Sequence, residues 1–350
     1  MKNVQLAFEN QSAICTKAGA PFTGRLCRLV GQRLTPDTDI GRRILGWTGN
    51  PSHEGDALPL RLMGGLHALA RDGRDGAWSA LYPPAEAPDD EALWHEVSRV
   101  LREHHDFIDL WLNGPPQTNE VGRSAALMAG LLVLADRFGL PFETYELGAS
   151  AGLNSSLDRY AHNLGGTLAG NSASKVRLKP EWIGNAPPKA EVKIERRHLV
   201  DLNPLDASDH TTQNLLKAYV WADQLERLAR LEAALDVAAQ YPLEIAKGDA
   251  ADWLENTLPL EGQAGICRVV MHTIAYQYFP DQAQARVRQH IERAGAQATE
   301  DAPLAWLSFE QSELGAPERR PLLELTVWPS GEKQVLAVCQ PHGALIDWKL

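Results

Sequence analysis

At Pro141 the pattern of this sequence changes, and the change limits the fold more than any other feature. Downstream, short apolar stretches such as "FETYELG", "GICRVVMHT" and "LAWLSFE" alternate with helical ones such as "DQAQARVRQHIERAG". Strands separated by helices need crossovers, and crossovers lay strands parallel in one sheet. Upstream the signals are helical. "DDEALWHEVSRVLREHHDFIDLWL" repeats apolar residues at three- and four-residue steps. A helix near Leu60–Arg71 closes at Asp72-Gly73, and another runs from about Thr118 to Phe138, ending at Gly139. We therefore expect a helical N-terminal cap region over 1–140. Over 141–350 we expect an α/β domain with a doubly wound parallel sheet.

Inside that domain, "LNSSLDRYAHNL" reads as a helix and 163–193 as an irregular insertion. "RRHLVDLNPLD" reads as a strand ending at Asp201. "TTQNLLKAYVWADQLERLARLEAALDVAAQ" reads as one long helix, and "PLEIAKGDAADWL" as strand, turn and helix. The last stretch, "LLELTVWPSGEKQVLAVCQPHG", reads as an antiparallel hairpin at one edge, turning at 329–331.

A net charge of −11 on 350 residues opposes a nucleic-acid partner, which needs a basic face. The four cysteines, Cys15, Cys27, Cys267 and Cys339, form no C-x-x-C pair, so a reducing cytoplasm is expected and neither a zinc framework nor a disulfide scaffold. The N-terminus lacks a signal-peptide core, and the longest apolar run, Ala125–Ala135, is too short to span a bilayer.

The stretch "TYELGASAGLN", residues 144–154, carries the chemistry. Gly148-Ala-Ser150-Ala-Gly152 fits the G-x-S-x-G turn of α/β-hydrolases, with Asp201 or Asp249 and His272 or His342 following in hydrolase order. The helical character of the first 140 residues and the lack of an oxyanion motif weigh against that reading. The alternative is a ligand loop. Gly148, Ser150 and Gly152 expose backbone N–H groups, and the strand-end acid Glu146 suits a cationic group. Asp201 and Asp249 end the next two strands, where acceptors for a ribose and an adenine belong. Three acids at three strand ends point into one crevice at the carboxyl edge of the sheet.

In "YELGASAG", "VDLNP", "GDA" and "VVMHTIAYQYFPD" the chain from Pro141 resembles a class I S-adenosylmethionine-dependent methyltransferase. The ordered set "QTNEVGR", "ELGASAGLN", "DLNPLD" and "GDA" more closely resembles an uncharacterised bacterial family thought to share that fold. The resemblance implies that Glu146, Gly148, Ser150, Gly152, Asp201, Asn203, Asp249 and Ala250 hold S-adenosylmethionine, and that the methyl goes to an O or N atom of a small molecule. A nucleoside-binding protein that has lost catalysis is the alternative. Two departures stand out: Ser150 replaces a glycine, and Asp201 follows Glu146 by 55 residues (201 − 146) where about 20 is usual.

The remaining candidates each have a structural reading beside the functional one. Asn119 and Glu120 contact the cofactor or the substrate, Glu120 as a catalytic residue and Asn119 as a substrate residue, or they cap the helix before the first strand. His272 is a general base or a hydrogen-bonded support. Tyr276 lines the substrate pocket or packs in the core, and Glu310 ends the fifth strand. His104-His105-Asp106 is rejected as a metal site, because adjacent helical side chains diverge by about 100°.

Overall fold

The computed structural model describes residues 2–311 and 320–350. The chain divides into two compact units. One takes in residues up to Thr118 together with His210–Ala229, and the other Asn119–Asp209 with Arg230–Leu350.

The first unit is helical: α1 (Lys2–Lys17), α2 (Pro21–Arg33), α3 (Asp39–Leu45), α4 (Leu58–Asp72), α5 (Gly76–Ser79), α6 (Asp90–Glu103) and α7 (His105–Leu112), with residues 210–229. Leu58, Leu62, Leu66 and Leu69 recur at helical spacing on α4 and are buried against Phe8, Leu26, Leu29 and Leu93. The single helix expected over 89–112 is two helices, because His104 leaves helical geometry at φ −115°, ψ 28°. Asp75, Glu103 and His104 bring three metal-type donors together. That cluster already has its cation: Arg99 Nη1 lies 2.8 Å from Asp75 Oδ2 and 2.6 Å from Glu103 Oε2. The guanidinium holds the Asp75 carboxyl far below the usual carboxylate range.

The second unit begins with α8 (Ser124–Phe138), which starts later than the expected Thr118, and β1 (Phe142–Leu147). The helix expected at "LNSSLDRYAHNL" is instead a 3-10 turn over Asn154–Arg159 followed by β2 (Ala161–Leu164). Its polar side chains explain the difference. Ser155 Oγ donates to Glu146, and Asn154 Oδ1 accepts from Ser124 Oγ at 2.8 Å, so these groups bond across the fold rather than turning outward from a helix. The stretch 163–193 is not irregular throughout. It carries β3 (Thr167–Gly170) and β4 (Arg177–Leu178), which pair with β2, and β5 (Glu181–Ile183).

Then come β6 (Ile194–Asp201), α9 (His210–Ala218), α10 (Leu225–Gln240), β7 (Ala246–Lys247), α11 (Ala250–Thr257), β8 (Cys267–Thr273), α12 (Asp281–Gly295), β9 (Leu304–Gln311), β10 (Pro321–Trp328), β11 (Glu332–Cys339) and β12 (Leu345–Trp348). The long helix expected over 211–240 is thus α9 and α10, broken where Asp223 turns to the N-terminus of α2.

A nine-stranded sheet runs in the order β5-β12-β11-β10-β9-β8-β1-β6-β7. From β7 to β9 all neighbours are parallel, whereas β10, β11 and β12 run as an antiparallel meander. The C-terminal hairpin is therefore not the edge, since β12 and β5 extend the sheet beyond it. β1 lies inside the parallel part: the chain moves out to β6 and β7 on one side, then to β8 and β9 on the other. Side-chain alternation divides the two faces. Tyr145, Leu147 and Val270 pack with Leu254 of α11 and Val287 and Ile291 of α12. Leu307 faces the opposite side, where Gly130 lets α8 approach: a Cβ on Gly130 would lie 2.5 Å from Leu307 Cδ1.

Candidate functional site at the carboxyl edge of the parallel strands

β1 and β6 end side by side, Leu147 level with Val200. The loop after β1 then turns through three left-handed residues, Gly148 (φ 70°), Ser150 (φ 55°) and Gly152 (φ 70°). Glycine accepts this conformation freely, while serine is strained in it. Ser150 is held there by Asp201. Its N–H donates to Asp201 Oδ2 at 2.8 Å, and its carbonyl accepts from Leu205 N–H at 3.0 Å. Asp201 Oδ1 accepts from Asn203 N–H at 2.8 Å. The expected ribose acid thus organises two backbone turns, with about one further lone pair on each oxygen for a ligand. Ser150 is 8% exposed, and its Oγ is buried without a hydrogen-bond partner. Packing alone demands glycine at 148, where a Cβ would sit 2.5 Å from that of Ala275.

Glu146 points to the face opposite Tyr145 and is 2% exposed. Burial pushes its carboxyl up to about 7; the Ser155 hydroxyl bonded to it opposes the shift, and the negative charge of Asp201 adds to it. Around it lies a buried polar network. Asn154 reaches Ser124 and Thr273, Tyr160 donates to Leu153 O at 2.6 Å, and Asn119 Oδ1 accepts from Leu153 N–H at 2.9 Å. Asn119 thereby fixes the end of the glycine loop. Glu120 caps the turn after it, Oε1 accepting from Gly122 N–H at 2.9 Å, and lies 3.7 Å from Arg230 Nη2 of α10.

His272 does not face this crevice. Alternation along β8 turns it with Val270 toward α12, and its side chain is wholly buried. Trp306 Nε1–H donates to His272 Nε2 at 2.8 Å, so the ring proton resides on Nδ1, which donates to Glu310 Oε1 at 2.7 Å. Both nitrogens are committed, and neither is placed to take a substrate proton. Tyr276 stacks on that imidazole, centroids 4.9 Å apart, and its hydroxyl donates to Gln284 O at 2.7 Å, which makes it a packing residue rather than a pocket wall. Glu310 also accepts from the N–H groups of Ala275, Tyr276 and Gln277. It pins the loop after β8, where Ile274 is held at φ 48°, a costly value for a β-branched residue.

Asp249 caps α11. Its Oδ1 accepts from Ala251 N–H at 2.9 Å and Asp252 N–H at 3.1 Å, and Ala250 forms the buried first turn. Glu146, Asp201 and Asp249 thus gather at one sheet edge, as the sequence suggested, with Asn119 and Glu120 close by. His272 and Tyr276 lie on the other face. Sequence reading missed Asn154, Ser155, Thr273 and Arg230. Only the polar "NSS" directly after the glycine loop signalled any of them.

A search of curated proteins and of solved structures returned no match. Residues 5–348 match a family described as an uncharacterized protein conserved in bacteria, DUF2332. With nearly its whole length covered by that match, the chain belongs to the DUF2332 family.

Proposed function

We propose that the second unit binds S-adenosylmethionine at the carboxyl edge of its parallel strands and passes the methyl group to an O or N atom of a small molecule. The observation that carries this reading is the buried Glu146 at the end of β1, beside a left-handed glycine loop tied to Asp201. A doubly wound sheet binds ligands where its strand order reverses, and here β6 and β8 leave β1 on opposite sides. Glu146 complements an ammonium or sulfonium, Asp201 has acceptor capacity for ribose hydroxyls, and the Asp249 carboxylate suits an adenine amino group. Ser150 Oγ, buried and unpartnered, is available to a polar ligand atom. When bound, the cofactor supplies an electrophilic methyl on sulfur. The protein contributes proximity, alignment and exclusion of water, without a general base from His272.

Nucleoside binding without catalysis is the second reading. It is favoured by the bonds that Asp201 and Asp249 already make to their own turns. A serine hydrolase needs a base on the nucleophile. The left-handed Ser150 resembles a nucleophile elbow, but its Oγ has no partner.

The test is a thermal shift with S-adenosylmethionine and its demethylated product. Ligand at about 100 times its Kd adds ~2.7 kcal/mol. Asp201→Ala and Asp249→Ala each weaken binding by about 1–3 kcal/mol. A flat response to millimolar ligand, without calorimetric heat, removes the reading. Labelling of the parent by a fluorophosphonate probe, lost in Ser150→Ala, would restore the hydrolase.

A further inference from the structure

Arg230 stands where the chain returns to the second unit, on α10. Its Nη2 lies 3.7 Å from Glu120 Oε1, beyond hydrogen-bond range for a guanidinium and a carboxylate. Its Nε is buried and has no hydrogen-bond partner. A guanidinium has five N–H donors in a planar fork that matches a carboxylate two at a time. Two other arginines near the glycine loop are committed to the fold. Arg197 donates to Ser155 O and Asp158, and Arg123 donates to Thr273 O and Pro341 O. Glu120 adjoins Asn119, whose Oδ1 accepts from Leu153 N–H at the end of the glycine loop, so the residue nearest this guanidinium and the one that holds the loop are neighbours in the chain. Ser150 Oγ, within that loop, is likewise buried without a partner. An edge furnished with Glu146, Asp201 and Asp249 repels anions unless a cation receives them.

We propose that Arg230 is the carboxylate anchor of this crevice, receiving a carboxylate of the bound small molecule through its guanidinium fork. The proposal rests on the ligand-binding reading above. The carboxylate belongs either to the amino-acid end of the cofactor or to the methyl acceptor, and the experiment separates these sources.

Calorimetry is run on the parent, Arg230→Gln and Arg230→Lys with two probes: S-adenosylhomocysteine, which carries the amino-acid end, and methylthioadenosine, which lacks it. Thermal shifts with succinate and with citrate follow on the same proteins, with and without S-adenosylhomocysteine. If the cofactor supplies the carboxylate, Arg230→Gln weakens S-adenosylhomocysteine about 10- to 100-fold and leaves methylthioadenosine unchanged. Arg230→Lys then recovers part of the loss, because the charge remains without the fork. If the acceptor supplies it, both nucleoside affinities hold and the carboxylate-induced shift disappears in Arg230→Gln. Unchanged affinities together with unchanged carboxylate shifts overturn the proposal. Should neither nucleoside bind the parent, the methyltransferase reading falls, while Arg230-dependent carboxylate shifts still uphold the anchor. A lower melting temperature of Arg230→Gln without ligand, restored in Arg230→Lys, measures the structural share of the Glu120 pair.

Discussion

Glu146 combines two conflicting demands in one residue. As an anion it suits a cationic ligand, yet it is buried and feels the charge of Asp201, so its folded value rises from 4.5 to about 7. Between those values the folded protein keeps a proton that the unfolded chain has released. Stability therefore falls as pH rises through that window. The full penalty, roughly 3 kcal/mol, is present above pH 7 and absent below about 4.5. Glu146→Gln keeps the shape and removes the charge. It should match the parent at low pH and exceed it at pH 8 in urea midpoint. Equal pH slopes for the two proteins would show that folding leaves the Glu146 carboxyl at its unfolded value. A cationic ligand lowers this carboxyl, so binding near pH 7 should also release a proton, read as a buffer-dependent calorimetric heat. Ser150 gives a second test at this scale. Ser150→Ala should cost at most ~1.5 kcal/mol of ligand affinity. Ser150→Val, with a branched side chain at φ 55°, should cost more.

At the scale of elements, the glycine loop and the loop after β8 support each other. Gly148 has φ 70°, and a Cβ there would meet that of Ala275 at 2.5 Å. Gly148→Ala should therefore destabilise by about 1–2 kcal/mol from left-handed strain, with a steric cost in addition. Ala275→Gly in the same chain should remove the steric part and leave the strain, a coupling that a double-mutant cycle measures. Strictly additive effects would mean that the loops move apart freely. Much of this was legible in the sequence. Strand ends at Glu146, Asp201 and His272–Thr273 followed from apolar runs meeting polar or glycine residues. The face of His272 did not follow, because a strand covered on both faces, such as "CRVVMHT", has no polar–apolar alternation to read, all seven of its residues being buried. The partners Trp306 and Glu310 lie 34 and 38 residues further along the chain. Only the register of β8 with β9 brings them together. The stretch after Gly152 was misread for a related reason: its serines and asparagine find partners that only the folded sheet supplies.

At the scale of the whole molecule, the first unit is discontinuous, and no local pattern could have announced it. The crossover from β6 to β7 passes through residues 210–229, which belong with the N-terminal helices. The ties are specific. α2 has Ala20 at its N-cap and no side-chain cap of its own. Asp223 supplies one from 201 residues away, accepting from Phe22 N–H at 2.7 Å, Thr23 N–H at 3.0 Å and the Thr23 hydroxyl at 2.8 Å. His67 donates through Nδ1 to Ala218 O at 3.1 Å, and the Tyr219 ring covers Gly64, where a Cβ would lie 2.6 Å from it. A negative cap also complements the positive end of the α2 dipole. Asp223→Ala should therefore lower stability by about 1–2 kcal/mol, the range of a lost N-cap. Asp223→Asn should recover much of this, because asparagine caps nearly as well, although its amide NH2 cannot accept. The stronger test is the stretch 2–118 produced alone. It lacks the cap, α9 and the Tyr219 cover, so it should retain helical circular dichroism but lose cooperative melting. Adding a peptide of residues 210–229 should restore a concentration-dependent transition. If 2–118 alone melts cooperatively at the temperature of the whole chain, the N-terminal helices form a self-sufficient domain, and residues 210–229 are only carried beside it.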